Sequence, residues 1–210
     1  MTAIPLEHNY MKHYQFQQDD MILDFGALTG EFIGYYAADI MAKNIFILCI
    51  EPGMHGVRAL THAIDRVPGH AAILSCCVGK AEGLSRFMVA SQPALNAAVW
   101  QDQKGMCEQC GQQYLREELV PTMSLTSILC IVKKPVNFLK ADIEGAELEM
   151  ILSTSDNVLR LIKNMAIAAY HPRNGSPTHT QLAQHLTQVG YEVKVEDEGI
   201  LYATLEGFKC

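Results

Sequence analysis

The run Lys140–Met150, "KADIEGAELEM", places Lys140, Asp142, Glu144, Glu147 and Glu149 within eleven residues, directly after the apolar run "PVNFL". Carboxylates crowded at the edge of a core repel one another and lose hydration, so such a cluster marks a candidate site. On an extended strand Lys140, Asp142 and Glu144 alternate and share one face. Gly145 then breaks the strand, and Glu147 falls in the first turn of a helix, where the dipole favours an anion. Asp142 is the residue placed to face a reacting centre. Glu144 is placed to orient a substrate or the chain, Glu147 to contact that substrate, and Lys140 to meet it or pair with the acids. Glu149 reads as a solvated helix residue. Asp142 and Glu144 offer the hard oxygens that magnesium prefers, but no third ligand is evident, so no metal is expected. A second apolar run, "NMAIAAY", ends at Tyr170 and His171. His171 titrates near neutrality and suits removal of a hydroxyl proton, with Tyr170 beside the acceptor.

Two other strand ends carry acids. "DFGALTG" runs from Asp24 to Gly30. Gly26 permits a tight turn, and Gly30 permits a ligand to approach the helix that begins at Glu31. A pyrophosphate prefers bare amides at a helix start, whereas Asp24 suits a ligand carrying an ammonium. Glu51 follows Gly30 by 21 residues, at the end of "NIFILCI", where an acid accepts from both ribose hydroxyls of an adenosyl ligand. Ala27 and Pro52 flank these positions. Cys76 and Cys77, at the end of "AAILSCCV", are candidates for the wall around an adenine or, equally, for packing.

The elements that must position these residues alternate. Strands read at 21–25, 44–50, 71–78, 135–143 and 164–170, and helical periodicity at 31–43, 55–67, from Ala146 onward, and 178–190. This pattern predicts an α/β, doubly wound, mostly parallel sheet. Residues 191–205 read as two strands around a "DEG" turn too tight for a parallel crossover, so the sheet ends in an antiparallel hairpin. Residues 1–20 read as a helical or irregular leading segment. The 91–124 stretch is long, polar and weakly periodic and reads as an inserted loop beside the ligand crevice.

Together "ILDFGALTGEF", "IEPG", "CVGKAEG", "SLTSIL", "FLKADIEGAELEMIL" and "AIAAYHP", spanning about Ile22 to Leu205, resemble the FkbM family of methyltransferases. The K-x-D-x-E-G-x-E segment is the most specific of them. Leu28 stands where that family commonly carries Asn. The resemblance implies a Rossmann-like class I methyltransferase fold with a seven-stranded sheet. It also implies S-adenosylmethionine as methyl donor, and O-methylation of a hydroxyl on a small molecule or glycan. Asp24, Gly26, Ala27, Gly30, Glu31, Glu51, Pro52, Cys76, Cys77 and Asp142 are then the expected cofactor contacts. Asp142 and His171 are the expected catalytic pair, and Lys140, Glu144, Glu147 and Tyr170 the expected acceptor contacts.

Bulk properties fit. The 210 residues carry a net charge of −7 and a pI near 5.6, which argues against a grip on nucleic-acid phosphates. No apolar run approaches the ~18 residues of a membrane span, so the expectation is a cytoplasmic protein. Seven cysteines without a secretion signal do not suggest a disulfide framework. Cys107 and Cys110 have the spacing of half a zinc site, but reduced loop thiols are the simpler reading. N-methylation of nucleic acid or protein lacks its Asn/Asp-Pro-Pro-aromatic signature, since "DIEG" stands at that place. A noncatalytic adenosyl-binding domain is the alternative from another class.

Overall fold

A computed structural model describes residues 9–90, 97–99, 114–173, 176–196 and 199–207. Its elements are β1 (Met21–Phe25), α1 (Glu31–Ala42), β2 (Phe46–Ile50), α2 (Met54–Ile64), β3 (Ala71–Leu74), β4 (Cys77–Gly79), β5 (Gly83–Ala90), β6 (Ala97–Val99) and β7 (Tyr114–Ser124). They continue with α3 (Leu125–Val132), β8 (Val136–Ala141), α4 (Glu147–Leu152), α5 (Asp156–Leu159), β9 (Ile162–Ala168), β10 (Pro172–Arg173), β11 (Ser176–Pro177), α6 (His179–Val189), β12 (Tyr191–Val195) and β13 (Ile200–Leu205).

Seven strands form the main sheet in the order β12-β13-β9-β8-β1-β2-β3. The pairs β9–β8, β8–β1, β1–β2 and β2–β3 are parallel, whereas β13 runs antiparallel to both β9 and β12. Because helices cover both faces, the central strands are buried on both sides and read as continuous apolar runs. Alternation still sorts their side chains. Leu23, Phe25, Leu48, Ile50, Leu139 and Ile167 pack with α3, α4 and α6 on one face. Ile22, Ile47, Cys49, Phe138 and Ala166 pack with α1 and α2 on the other. Chain order reverses between β1 and β8, and ligands of open α/β sheets bind at that switch point, outside the strands' carboxyl ends.

Two expectations change. The run 71–78 does not form one strand: Ala71–Leu74 belongs to the main sheet, and Cys77–Gly79 joins a second, four-stranded sheet, β4-β7-β5-β6. The stretch 91–124 is not loop throughout, because Tyr114–Ser124 pairs antiparallel with Gly83–Ala90. Along β5 and β7 one side is buried and the other largely exposed. Phe87, Val89 and Val120 pack with Cys77, while Leu84 and Leu119 are exposed, so the run is less apolar than a central strand. Pro121 and the charged "REE" further mask it as loop. Cys107 and Cys110 lie outside the described residues. The leading segment joins the main body, since Tyr10 and Phe16 are buried against α1 and β8.

Candidate active site

β8 ends at Ala141, and the Asp142 N–H donates to the Phe25 carbonyl of the neighbouring β1 (3.0 Å). This bond carries the parallel pairing one step past the strand and fixes Asp142 at the carboxyl edge. Two phenols hold its carboxylate. The Tyr10 hydroxyl donates to Oδ2 at 2.8 Å, and the Tyr170 hydroxyl lies 3.3 and 3.4 Å from the two oxygens. Tyr10 is fully buried. Burial first, and the nearby Asp142 charge second, raise its pKa far above the ordinary phenol value, so it remains a donor. Sequence reasoning missed Tyr10. The available signal was the aromatic spacing of Tyr10, Tyr14 and Phe16 just before β1.

After Asp142 the chain turns rather than continuing extended. Glu144 has φ +55 and Gly145 φ +96, so Glu144 leaves the strand's face by an unfavourable left-handed backbone. The Ile143 N–H donates to Glu147 Oε1 (2.7 Å), which closes the turn onto α4. Glu147 is fully buried, so it supports the turn rather than meeting an acceptor directly. His171, just beyond β9, reaches all three acids. Its Nδ1 is 3.2 Å from Glu147 Oε1, and its Nε2 is 3.5 Å from Glu144 Oε2 and 3.9 Å from Asp142 Oδ1. Burial alone would depress the imidazole pKa, but Glu144 and Glu147 outweigh it and lift the group to about 10. His171 is therefore an imidazolium at neutral pH in this arrangement. That corrects the expectation of a free base: the ring first binds carboxylates together.

Of the two readings for Lys140, the structure shows pairing with an acid, and that acid is Asp24. Lys140 is 2% exposed, and its Nζ lies 2.9 Å from Asp24 Oδ1 on the paired strand, 3.3 Å from the Gly26 carbonyl and over the Tyr10 ring. It neutralises Asp24 inside the sheet and is not presented to an acceptor. Asp24 keeps Oδ2 buried without a hydrogen-bond partner. A buried lone carboxylate oxygen at a strand end is costly unless a ligand cation or hydroxyl meets it.

At the end of β2, Glu51 is 3% exposed, and its carboxylate accepts the Gly53 N–H (2.8 Å) and the Leu28 N–H (3.0 Å). Burial pushes its pKa up to about 7, against the pull of those two amides. Its remaining lone pairs suit hydroxyl donors. Gly26 makes the expected tight turn with φ +75, and a Cβ there would sit 1.8 Å from the Asp142 carbonyl oxygen. Gly30 differs from expectation, because a Cβ there would sit 2.4 Å from Ala63 Cβ, so that side admits α2 rather than a ligand. Ala27 is buried, Pro52 half-buried, and Glu31 exposed in the first turn of α1. Cys76 and Cys77 are buried, and burial raises their thiols to about 11 and about 12, so both behave as small apolar side chains. Asp24, Glu51, Asp142 and His171 thus line the strand ends on both sides of the switch point.

The sequence matches the model of the methyltransferase FkbM domain over residues 40–193. The chain belongs to the FkbM methyltransferase family. This family uses S-adenosylmethionine as its methyl donor. The match begins after the Asp24–Gly30 turn, so that turn is placed by the fold. Among solved structures, the chain is similar to an FkbM methyltransferase from Methylobacillus flagellatus KT, with a TM-score of 0.60 and 17% identity over 94% of this chain. It spans only 49% of that protein. It is also similar to a precorrin-6y C5,15-methyltransferase from Geobacter metallireducens GS-15, with a TM-score of 0.55, 13% identity, and coverage of 98% of this chain and 90% of that one. At such identities the likeness shows the fold alone. No curated protein matches the sequence.

Proposed function

We propose that this chain transfers the methyl group of S-adenosylmethionine to a hydroxyl oxygen of a small-molecule or glycan acceptor. The observation that supports this reading best is the Asp142 carboxylate, held by two phenols at the end of β8, with Glu144 and His171 beside it. When bound, the donor supplies an activated methyl on a cationic sulfur. The open lone pairs of Glu51 fit its ribose hydroxyls, and Cys76 and Cys77 form an apolar wall nearby. Asp142 and the partly exposed Glu144 receive the acceptor hydroxyl. The Asp142 carboxylate takes the hydroxyl proton as the O–CH3 bond forms and the S–CH3 bond breaks. The protein's contribution is alignment of the acceptor oxygen and disposal of that proton, the latter worth roughly 10²–10⁴ in rate. An acidic chain fits a small acceptor better than a polyanionic one, and among the described residues no helix is long and apolar enough to cross a membrane.

The test is transfer of label from methyl-labelled S-adenosylmethionine across a panel of hydroxylated sugars and small molecules, with S-adenosylhomocysteine binding followed by calorimetry. Label in an ether product, slowed by about 10²–10⁴ in Asp142→Asn, is the expected result. Label recovered on nitrogen, or tight cofactor binding with no transfer to any acceptor, would replace this reading.

A further inference from the structure

The carboxyl edge of β8 and β9 gathers more negative charge than the acceptor chemistry needs. Asp142, Glu144 and Glu147 surround one imidazole, and Lys140 is engaged with Asp24. One ligand atom each from Asp142, Glu144 and His171 lies within 4.8 Å of the others. An ion with bonds of about 2.1 Å sets neighbouring ligand atoms about 3 Å apart and opposite ones about 4 Å apart. The gaps of 3.5 Å (His171 Nε2 to Glu144) and 3.9 Å (His171 Nε2 to Asp142) lie in that range and are long for direct hydrogen bonds.

A second observation concerns the ring itself. The His171 side chain is nine-tenths buried, and its Nδ1 makes no hydrogen bond of good geometry although Glu147 Oε1 lies 3.2 Å away. Glu147 is fully buried, and its Oε2 is without a hydrogen-bond partner. A carboxylate behind one ring nitrogen is the usual arrangement for a metal-binding histidine, because it fixes the tautomer and turns the other nitrogen toward the ion. Glu147 behind Nδ1 leaves Nε2 facing Glu144 and Asp142.

We propose that Asp142, Glu144 and His171 hold a hard divalent cation of the Mn2+ or Mg2+ class, with Glu147 as the residue that positions the histidine. Two carboxylates and one imidazole suit such an ion better than a thiolate-seeking one. Three protein ligands leave positions open for acceptor oxygens, so, resting on the O-methyltransferase reading, Asp142 and Glu144 would receive the acceptor hydroxyl through the ion.

The experiment is titration of chelator-treated full chain with Mn2+ alone, followed by the paramagnetic resonance signal of free Mn2+. Calorimetry with S-adenosylhomocysteine on the same preparation tests the cofactor separately. Saturable binding of one ion per chain is expected. It should weaken at least about tenfold in Glu144→Gln and His171→Gln, and by about ten- to a hundredfold in Glu147→Gln. Glu144 is partly exposed at a turn, so its variant remains informative if a His171 variant does not fold. Absence of saturable Mn2+ binding while S-adenosylhomocysteine still binds would overturn the metal site and leave the methyltransferase reading standing. Unchanged Mn2+ affinity in a folded Glu144→Gln would overturn it equally.

Discussion

Leu28 and Glu51 are joined by one hydrogen bond, and both are held in states they would not choose alone. Leu28 has φ +47, a left-handed backbone that costs a side chain with a Cβ about 1–2 kcal/mol. Asn tolerates this region, so Leu28→Asn should stabilise the protein by about 1 kcal/mol, seen as a rise of about 2–4 °C in the thermal midpoint. An unchanged or lowered midpoint would show that the Leu28 side chain contributes more packing than its backbone loses. Glu51 is raised from 4.5 to about 7, mainly by burial. A carboxyl group raised in the folded state contributes stability that is complete below about pH 4.5 and disappears as the pH rises through 7. Denaturant unfolding between pH 5 and 8 should therefore show a decline larger by roughly 3 kcal/mol in the wild type than in Glu51→Gln, with the decline from the raised His171 common to both. The comparison lies in the slopes, because the variant also loses one acceptor for the Leu28 or Gly53 amide.

The turn after β1 and the end of β8 are built against each other. Gly26 has φ +75, and a Cβ there would overlap the Asp142 carbonyl oxygen. Gly69 has a similar φ of +82, with nothing within 4 Å of an added Cβ. The two substitutions separate strain from collision. Gly69→Ala should cost about 1–2 kcal/mol from backbone strain, whereas Gly26→Ala should cost more than about 3 kcal/mol and displace Asp142. Equal losses in urea unfolding would mean that the two elements slide apart freely. The same strands share the buried Asp24–Lys140 pair, in direct register. Lys140→Met leaves Asp24 charged and uncompensated, at a cost of about 3–5 kcal/mol. Adding Asp24→Asn should restore much of that loss. A single variant as stable as the wild type would show that another cation already balances Asp24.

At the scale of the whole molecule, the segment ahead of β1 closes one face of the main sheet. Tyr10 and Phe16 are buried, Tyr14 stacks on Phe138 at 4.7 Å, and the Tyr202 hydroxyl on β13 donates to the Asn9 carbonyl (2.5 Å). Losing a buried aromatic costs about 3–5 kcal/mol, and a domain has only about 5–15 kcal/mol in total. A chain lacking residues 1–20 should therefore lose its cooperative thermal transition and bind a hydrophobic dye. A sharp transition in the truncated chain would make this segment an appendage. Tyr10→Phe is the milder probe: it keeps the packing, removes one donor to Asp142, and should lower stability by about 1 kcal/mol.

Much of the main sheet was legible in the sequence because its strands are buried on both faces. "MILDF", "FILCI" and "VNFLKA" read as buried strands, and the helices between them carry apolar residues at helical spacing. The second sheet was hidden because one of its faces meets water, and Arg116, Glu117 and Pro121 obscure the alternation. The three acids and the histidine at the strand ends were also visible, since chain order and strand length alone deliver Asp24, Glu51, Asp142 and His171 to one edge. What each touches was decided by contacts far apart in sequence. Lys140 and Asp142 sit two residues apart, yet one is committed to Asp24 across the sheet and the other to Tyr10 and Tyr170. Alternation foresaw Glu144 on Asp142's strand face; only the left-handed turn at Glu144 and Gly145, with Glu147 folding back onto Ile143, brought it to His171. Local sequence determines which residues reach the edge of a sheet, because periodicity and chain reach are local properties. Their charge partners depend on which strands become neighbours, and that was decided only by the tertiary fold.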